Sequence, residues 1–255
     1  MKTAVVTSSD KRYLPGVKAL YASYLANANH MGDFYLLAHG DIEDFKEMEE
    51  KGIKILYNQD PVDSPTSCNW PVKLPAMYSR LLIPRLFSDY DRVLFLDADT
   101  IILKDINPLL DMYLGEMPCA GMLPGDHRVN NVHNNWMPYQ FEQPNKFPEY
   151  KNIFAIQAGV ILFHIKNWFD NNLDKEVDEA LLSGIKFKFV VQGLLGYVLK
   201  GRFIPIHHKW NSRISKTQDL RDVCILHYVG GDKIIPWADP RIKYKEVWKK
   251  YYDLF

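Results

Sequence analysis

The chain opens on a β-branched run, Thr3-Ala4-Val5-Val6-Thr7, that gives way to the polar Ser8-Ser9-Asp10. A short apolar run with a polar exit reads as a buried strand reaching its C-terminal edge. From Leu14 to Leu25, the positions Val17, Leu20, Tyr21, Tyr24 and Leu25 recur at helical spacing, with Pro15 in a first turn that tolerates it. Phe34-Tyr35-Leu36-Leu37-Ala38 then predicts a second strand, Ile42–Lys51 a charged helix closed by Gly52, and Ile53–Leu56 a third strand. Such alternation calls for an α/β fold with a mainly parallel central sheet flanked by helices, in which ligands sit outside the C-terminal strand ends. Further on, the pattern predicts a helix over Met77–Phe87 and a strand over Arg92–Leu96 that runs straight into Asp97-Ala98-Asp99. Between Gly121 and Tyr150 the periodicity lapses among Pro, Gly and Asn, and a loop of this length in a compact domain is usually functional or mobile. A strand over Ala158–Phe163, an acidic helix to about Leu182, an apolar segment Val190–Leu199 and an amphipathic Lys/Trp/Tyr tail complete the pattern.

Composition narrows the classes of function. With 255 residues, 47% of them hydrophobic and 13% aromatic, the chain buries a sizeable core and excludes disorder as its theme. A single domain over 1–255 is expected, with no linker or internal repeat. Lys and Arg total 31 and Asp and Glu total 31, so the net charge is zero, which argues against a nucleic-acid surface built on counterion release. Cys68, Cys119 and Cys224 are odd in number and widely spaced, so buried thiols in a reducing, cytoplasmic setting are expected. The N-terminal apolar run is too short for a secretory signal, and no stretch approaches the roughly 18–20 apolar residues of a membrane span. A homo-oligomer is compatible with all of this.

Asp97 and Asp99 carry the sharpest chemical signal. Alternate residues leaving a strand aim two carboxylates into one cavity if the chain turns at Ala98, and hard divalent cations prefer such oxygens together with substrate phosphates. Plainer alternatives are a turn or helix cap, or the Asp-x-Asp element of a haloacid-dehalogenase-type phosphatase, against which stand Ile101 and the roughly 90 residues that precede the motif. The second signal is Leu226-His227-Tyr228-Val229-Gly230-Gly231-Asp232-Lys233. Here an imidazole suits a transition-type metal, a glycine lets backbone approach a phosphate, and a lysine adds a point charge.

Together with Tyr78-Ser79-Arg80-Leu81, Phe95–Thr100 and Ala158–Phe163, the His227-x-x-Gly230-x-x-Lys233 element resembles glycosyltransferase family 8, in the family's order and from Thr7 to Trp237. The resemblance implies a GT-A fold and transfer of a hexose, glucose or galactose, from a UDP-sugar to a carbohydrate or other hydroxyl acceptor. Transfer would proceed with retention and with manganese, or alternatively magnesium. It implies Asp97, Asp99 and His227 as metal ligands, and Gly230 and Lys233 as the diphosphate grip. Thr7, Ser8, Asp10 and Tyr13 would form the uridine loop, and Arg80, Ala98, Gln157 and Ala158 would be donor contacts. Gln192 would lie at the reacting carbon, with Gln192 and Lys233 the catalytic pair. Residues up to about 105 would form the nucleotide-binding half, and residues from about 106 the acceptor-facing half with the closing metal-ligand strand. By its residue types, amides and aromatics that suit sugars, the Gly121–Tyr150 loop, with His127, Arg128, His133, Asn134, Asn135 and Trp136, is a candidate lid or acceptor surface, the alternative being an ordinary ordered surface loop. His207-His208-Lys209-Trp210-Asn211 follows a strand-like run and, from its residue types, either reaches the donor sugar or plays a purely structural role. Three departures stand out: Gln157 replaces the usual Asn, Val191 replaces the usual Asp, and two residues separate Lys233 from Pro236-Trp237. Val191 motivates a rival reading as a catalytically silent nucleotide-sugar-binding protein.

Overall fold

Strand β1 (Thr3–Asp10) sorts the core, because alternate residues leave a strand on opposite faces. Ala4 and Val6 enter one apolar cluster and Val5 the other. The computed structural model describes residues 1–57, 76–125, 135–229 and 235–255. In chain order the elements are β1, α1 (Leu14–Asn27), β2 (Asp33–His39), α2 (Lys46–Glu50), β3 (Lys54–Tyr57), α3 (Ile83–Leu86), β4 (Arg92–Leu96) and β5 (Thr100–Ile102). There follow α4 (Asn107–Leu110), β6 (Cys119–Gly121), β7 (Val160–His164), α5 (Ile165–Asp170), α6 (Leu173–Leu182), α7 (Val190–Leu199), β8 (Ile204–Pro205), β9 (Ser212–Arg213), β10 (Ile225–His227) and α8 (Lys245–Tyr252).

Seven strands form a central sheet in the order β3-β2-β1-β4-β7-β6-β8. The first four are mutually parallel, β7 runs antiparallel to both β4 and β6, and β8 is parallel to β6. On one face Val93, Phe95, Ile161 and Phe163 pack under α5, α6 and α7; on the other Leu94, Leu96, Val160 and Leu162 pack with α1 and α4. A three-stranded sheet, β5-β10-β9, stands apart. Its Ile101 and Leu226 share a third cluster with Ala19 and Ala22 of α1 and Trp248 and Tyr251 of α8. The amphipathic tail is thus core packing. Among the described residues no helix is long and apolar enough to cross a membrane.

Several boundaries differ from the sequence pattern for visible reasons. β1 continues through Ser8-Ser9-Asp10 because their backbone pairs with Leu37, Ala38 and His39, a ladder that side-chain polarity does not oppose. The helix expected over 77–87 is a 3-10 turn, Ala76–Leu81, followed by α3. Pro84 has no N–H to give the Arg80 carbonyl. The acidic helix divides into α5 and α6 at Asn172, whose φ of 56° lies in the left-handed region. The described part of the expected 121–150 loop is built of short 3-10 turns, and its Met137, Phe141 and Tyr150 are buried in the core. That part is a packed wall; His127, Arg128, His133 and Asn134 lie outside the described residues. Cys119 and Cys224 are free and buried, and Cys68 is outside the described residues.

Candidate active site

The site begins where β4 stops. Asp97 N donates to Gly159 O over 2.8 Å, keeping the chain tied to the entry of β7 for one more residue. The Asp97 carbonyl then accepts from Thr100 N at 3.1 Å and from Thr100 Oγ1 at 2.7 Å, which closes a tight turn over Ala98. Asp99 O accepts from Tyr228 N at 2.9 Å, and His227 pairs with Thr100 across the β10–β5 ladder. Turn and ladder together bring both carboxylates to one imidazole. His227 Nε2 lies 3.1 Å from Asp99 Oδ1 and 3.7 Å from Asp97 Oδ2, and one ligand atom from each residue falls within 4.8 Å of the others.

Three further features shape the cluster. The Arg80 guanidinium is pinned by Ala158 O (2.6 Å), lies 4.6 Å from the centre of the Phe95 ring, and holds Asp97 Oδ1 at 2.7 Å. Gly159 leaves room for the cluster, since a Cβ there would overlap the His227 ring and lie 2.7 Å from Asp97 Oδ2. Beneath His227, Nδ1 meets Asn211 Oδ1 at 2.7 Å, and the Asn211 amide reaches Gln157 Oε1, which also accepts from Gly159 N. Burial pushes the Asp97 carboxyl above its ordinary range; Arg80 and His227 pull it back and Asp99 adds to the rise.

The remaining expected site residues fall as follows. Thr7 is fully buried, and its hydroxyl has no hydrogen-bond partner among the described residues. Asp10 caps the turn after β1, with its carboxylate on Arg12 N (2.9 Å) and the Arg12 guanidinium (2.8 Å). Tyr13 meets Trp237 edge-on, ring centres 5.5 Å apart. A Cβ on Gly16 would strike both the Trp237 ring and the Ala98 carbonyl, so the Pro236-Trp237 element packs over the start of α1 beside the Asp97–Asp99 turn. Gln192 is hydrogen-bonded through Nε2 to Gln140 Oε1 at 2.8 Å, and Val191 is buried in the apolar core. Gly230 and Lys233 lie outside the described residues. The His207–Asn211 segment contributes Asn211 to the site from beneath His227; the His207 ring caps its own turn by accepting from Lys209 N. Sequence spacing gave no sign of Asn211 or Gly159 in these roles, because both depend on neighbouring strand ends.

A mainly parallel central sheet with helices on both faces, where the chain leaving β4 brings two carboxylates to an imidazole of the small sheet, fits the GT-A fold of glycosyltransferases. The chain belongs to glycosyltransferase family 8: the family model "Glycosyl transferase family 8" matches residues 4–240. That membership makes it an enzyme of the glycosyltransferase class. It is 26% identical to a lipopolysaccharide 1,2-glucosyltransferase of Escherichia coli K12, over 93% of this chain and 75% of the relative. It is 28% identical to a lipopolysaccharide 1,3-galactosyltransferase of Salmonella typhimurium, over 68% of this chain and 51% of the relative. The solved glycosyltransferase GlyE of Streptococcus pneumoniae superposes with a TM-score of 0.66 at 22% identity, over 99% of this chain and 60% of that one. A galactosyltransferase, LgtC, solved with donor and acceptor sugar analogs, gives 0.66 at 19% identity over 99% and 96%. The chain thus spans about half to three fifths of several relatives' length.

Proposed function

We propose that this chain transfers a hexosyl group, glucose or galactose, from a UDP-sugar to a carbohydrate or other hydroxyl acceptor with retention at the anomeric carbon. The observation that carries the reading is the meeting of Asp97, Asp99 and His227 at the strand ends, within 4.8 Å of one another. Two carboxylate oxygens and one imidazole fit manganese, with magnesium second, because the donor set joins hard oxygens to a borderline nitrogen. Bound there, the ion supplies positive charge against the charge that a departing diphosphate accumulates.

The chain's own residues do the rest. Arg80 fixes one Asp97 oxygen, so the other stays turned toward His227. The segment Thr7–Tyr13 receives uridine, residues up to about 105 form the nucleotide-binding half, and Gly230 and Lys233 grip the diphosphate. Residues from about 106 face the acceptor. Gln192, anchored on Gln140, presents an amide near the reacting carbon; an amide is a poor nucleophile, so its part is polar positioning. The acceptor hydroxyl attacks on the face the diphosphate leaves. The new C–O bond forms as the old one breaks, and a diphosphate oxygen takes the hydroxyl proton.

The deciding experiment is a UDP-release assay over a panel of UDP-sugars with and without Mn2+. Metal-dependent release from UDP-glucose or UDP-galactose is expected, with Asp99→Ala lowering it at least about 100-fold. Tight UDP binding without release would instead make the chain a nucleotide-sugar-binding module, and metal-dependent phosphate release without a nucleotide would make it a phosphatase. Either result overturns the reading.

A further inference from the structure

Gly159, Gln157, Asn211 and His227 form a hydrogen-bond chain whose direction is set at one end by a backbone N–H, a group that only donates. Gly159 N donates to Gln157 Oε1 over 2.8 Å, so the amide oxygen of Gln157, not its nitrogen, occupies that corner. The same oxygen meets the Asn211 amide. Two acceptors would repel, so Asn211 turns Nδ2 toward Gln157 and is left presenting Oδ1 to His227 Nδ1, 2.7 Å away. An amide oxygen only accepts; the proton must therefore sit on Nδ1. That leaves Nε2, the nitrogen facing Asp99 and Asp97, as the one that offers a lone pair to a cation. Gln157, Asn211 and His227 are 9%, 1% and 2% exposed, so no bulk water competes to reverse the chain.

From this we infer that Gln157 is a positioning residue: through Asn211 it writes the tautomer of His227 and thereby makes Nε2 the metal-facing nitrogen. The inference rests on the reading of His227 as a metal ligand. It also gives position 157 a different task from the sugar contact that the family resemblance implies, since the Gln157 oxygen is committed inside the protein.

Two measurements test it. In metal-free protein labelled with 15N-histidine, long-range proton–nitrogen spectra read which ring nitrogen carries hydrogen. His227 Nδ1 is expected to carry hydrogen, whether or not Nε2 also holds one toward Asp99 Oδ1, 3.1 Å away; a bare Nδ1 with hydrogen on Nε2 would overturn the inference. Direct Mn2+ binding, followed by electron paramagnetic resonance, is then compared in variants. Gln157→Leu removes the acceptor and lets Asn211 rotate, so affinity should fall about 10- to 100-fold. Gln157→Glu still accepts from both N–H groups and should retain the affinity. Equal weakening in both variants, or none in Gln157→Leu, overturns the inference. If Gln157→Leu does not fold, the wild-type spectrum still decides. A wild-type protein with protonated Nδ1 that binds no Mn2+ would sink the metal reading while leaving the relay standing.

Discussion

Two carboxylates and an imidazole meet in this fold because the residue behind them has no side chain. Gly159→Ala would drive a methyl into the His227 ring and against Asp97 Oδ2, where no flexible tail is free to yield. We expect Mn2+ affinity to fall at least about 10-fold, while stability drops by only about 1–3 kcal/mol, the ordinary cost of overpacking. Titration with Mn2+ beside urea unfolding checks both numbers, and unchanged metal binding would refute the packing argument. Val191 makes the converse point. Its side chain is buried among Leu194, Leu195 and Phe187, so Val191→Asp, which restores the family's usual acid, places an unpaired charge in apolar surroundings. A loss of about 3 kcal/mol or more with no gain in turnover is expected; a more active and equally stable variant would show that the position faces the sugar. The same residues mark what could be read in the chain. Asp97, Asp99 and His227 were legible because a carboxylate or imidazole that directly follows an apolar strand is chemically conspicuous. Asn211 was not, because its value lies in the parallel pairing of β9 with β10, which sets Ser212 beside Leu226 and Arg213 beside His227.

At the scale of elements, apolar runs marked five strands of the central sheet, β1 to β4 and β7, since their cores are rich in Val, Leu, Ile and Phe, but not β6 and β8, which are only three and two residues long. It missed the division of helices at Pro84 and Asn172 and the order of β6, β7 and β8, which arises from contacts far apart in sequence. One junction of elements carries a pH signature. His30, between α1 and β2, has Nε2 2.7 Å from Thr3 Oγ1 and Nδ1 3.0 Å from Tyr24 OH, and Tyr24 OH donates to Gly32 O at 2.9 Å. This arrangement seats a neutral ring: the Thr3 hydroxyl donates to Nε2 and Nδ1–H donates to the phenol oxygen. Burial holds His30 below the ordinary histidine range, and the same cause acts on His39 at the end of β2 and His164 at the end of β7. Below about pH 6.5 the unfolded chain takes up protons at these positions that the folded chain refuses. Stability is therefore full above that pH and falls as the solution is acidified toward the folded values. Urea midpoints at about pH 7.5 and 5.5 should differ in that direction, and His30→Gln should flatten the slope. An unaltered slope in the variant would remove His30 from the account.

The whole molecule has zero net charge, yet its proposed ligand is a diphosphate, and the two agree only if cationic character is local. The carboxylates of the site are themselves acidic, and Arg80 is already committed to Asp97 and Ala158. A bare nucleotide should therefore bind weakly and a nucleotide with Mn2+ strongly. The site also joins separate layers: Asp97 directly follows β4 of the central sheet, His227 ends β10 of the small sheet, and the Trp237 ring packs over α1 beside the Ala98 carbonyl. A ligand that binds only when these layers are assembled stabilises the folded state by mass action. At about 100 times its dissociation constant it contributes roughly 2.7 kcal/mol, and for a chain of this size each kcal/mol moves the midpoint by about 2–4 °C. Thermal unfolding with Mn2+ and UDP together should thus rise by about 5–10 °C, with a much smaller shift for UDP or Mn2+ alone. In Asp99→Ala the combined shift should shrink to that of UDP alone. Equal shifts for UDP with and without metal would mean that the protein grips the diphosphate through its own cations, and the metal would lose its place in the site.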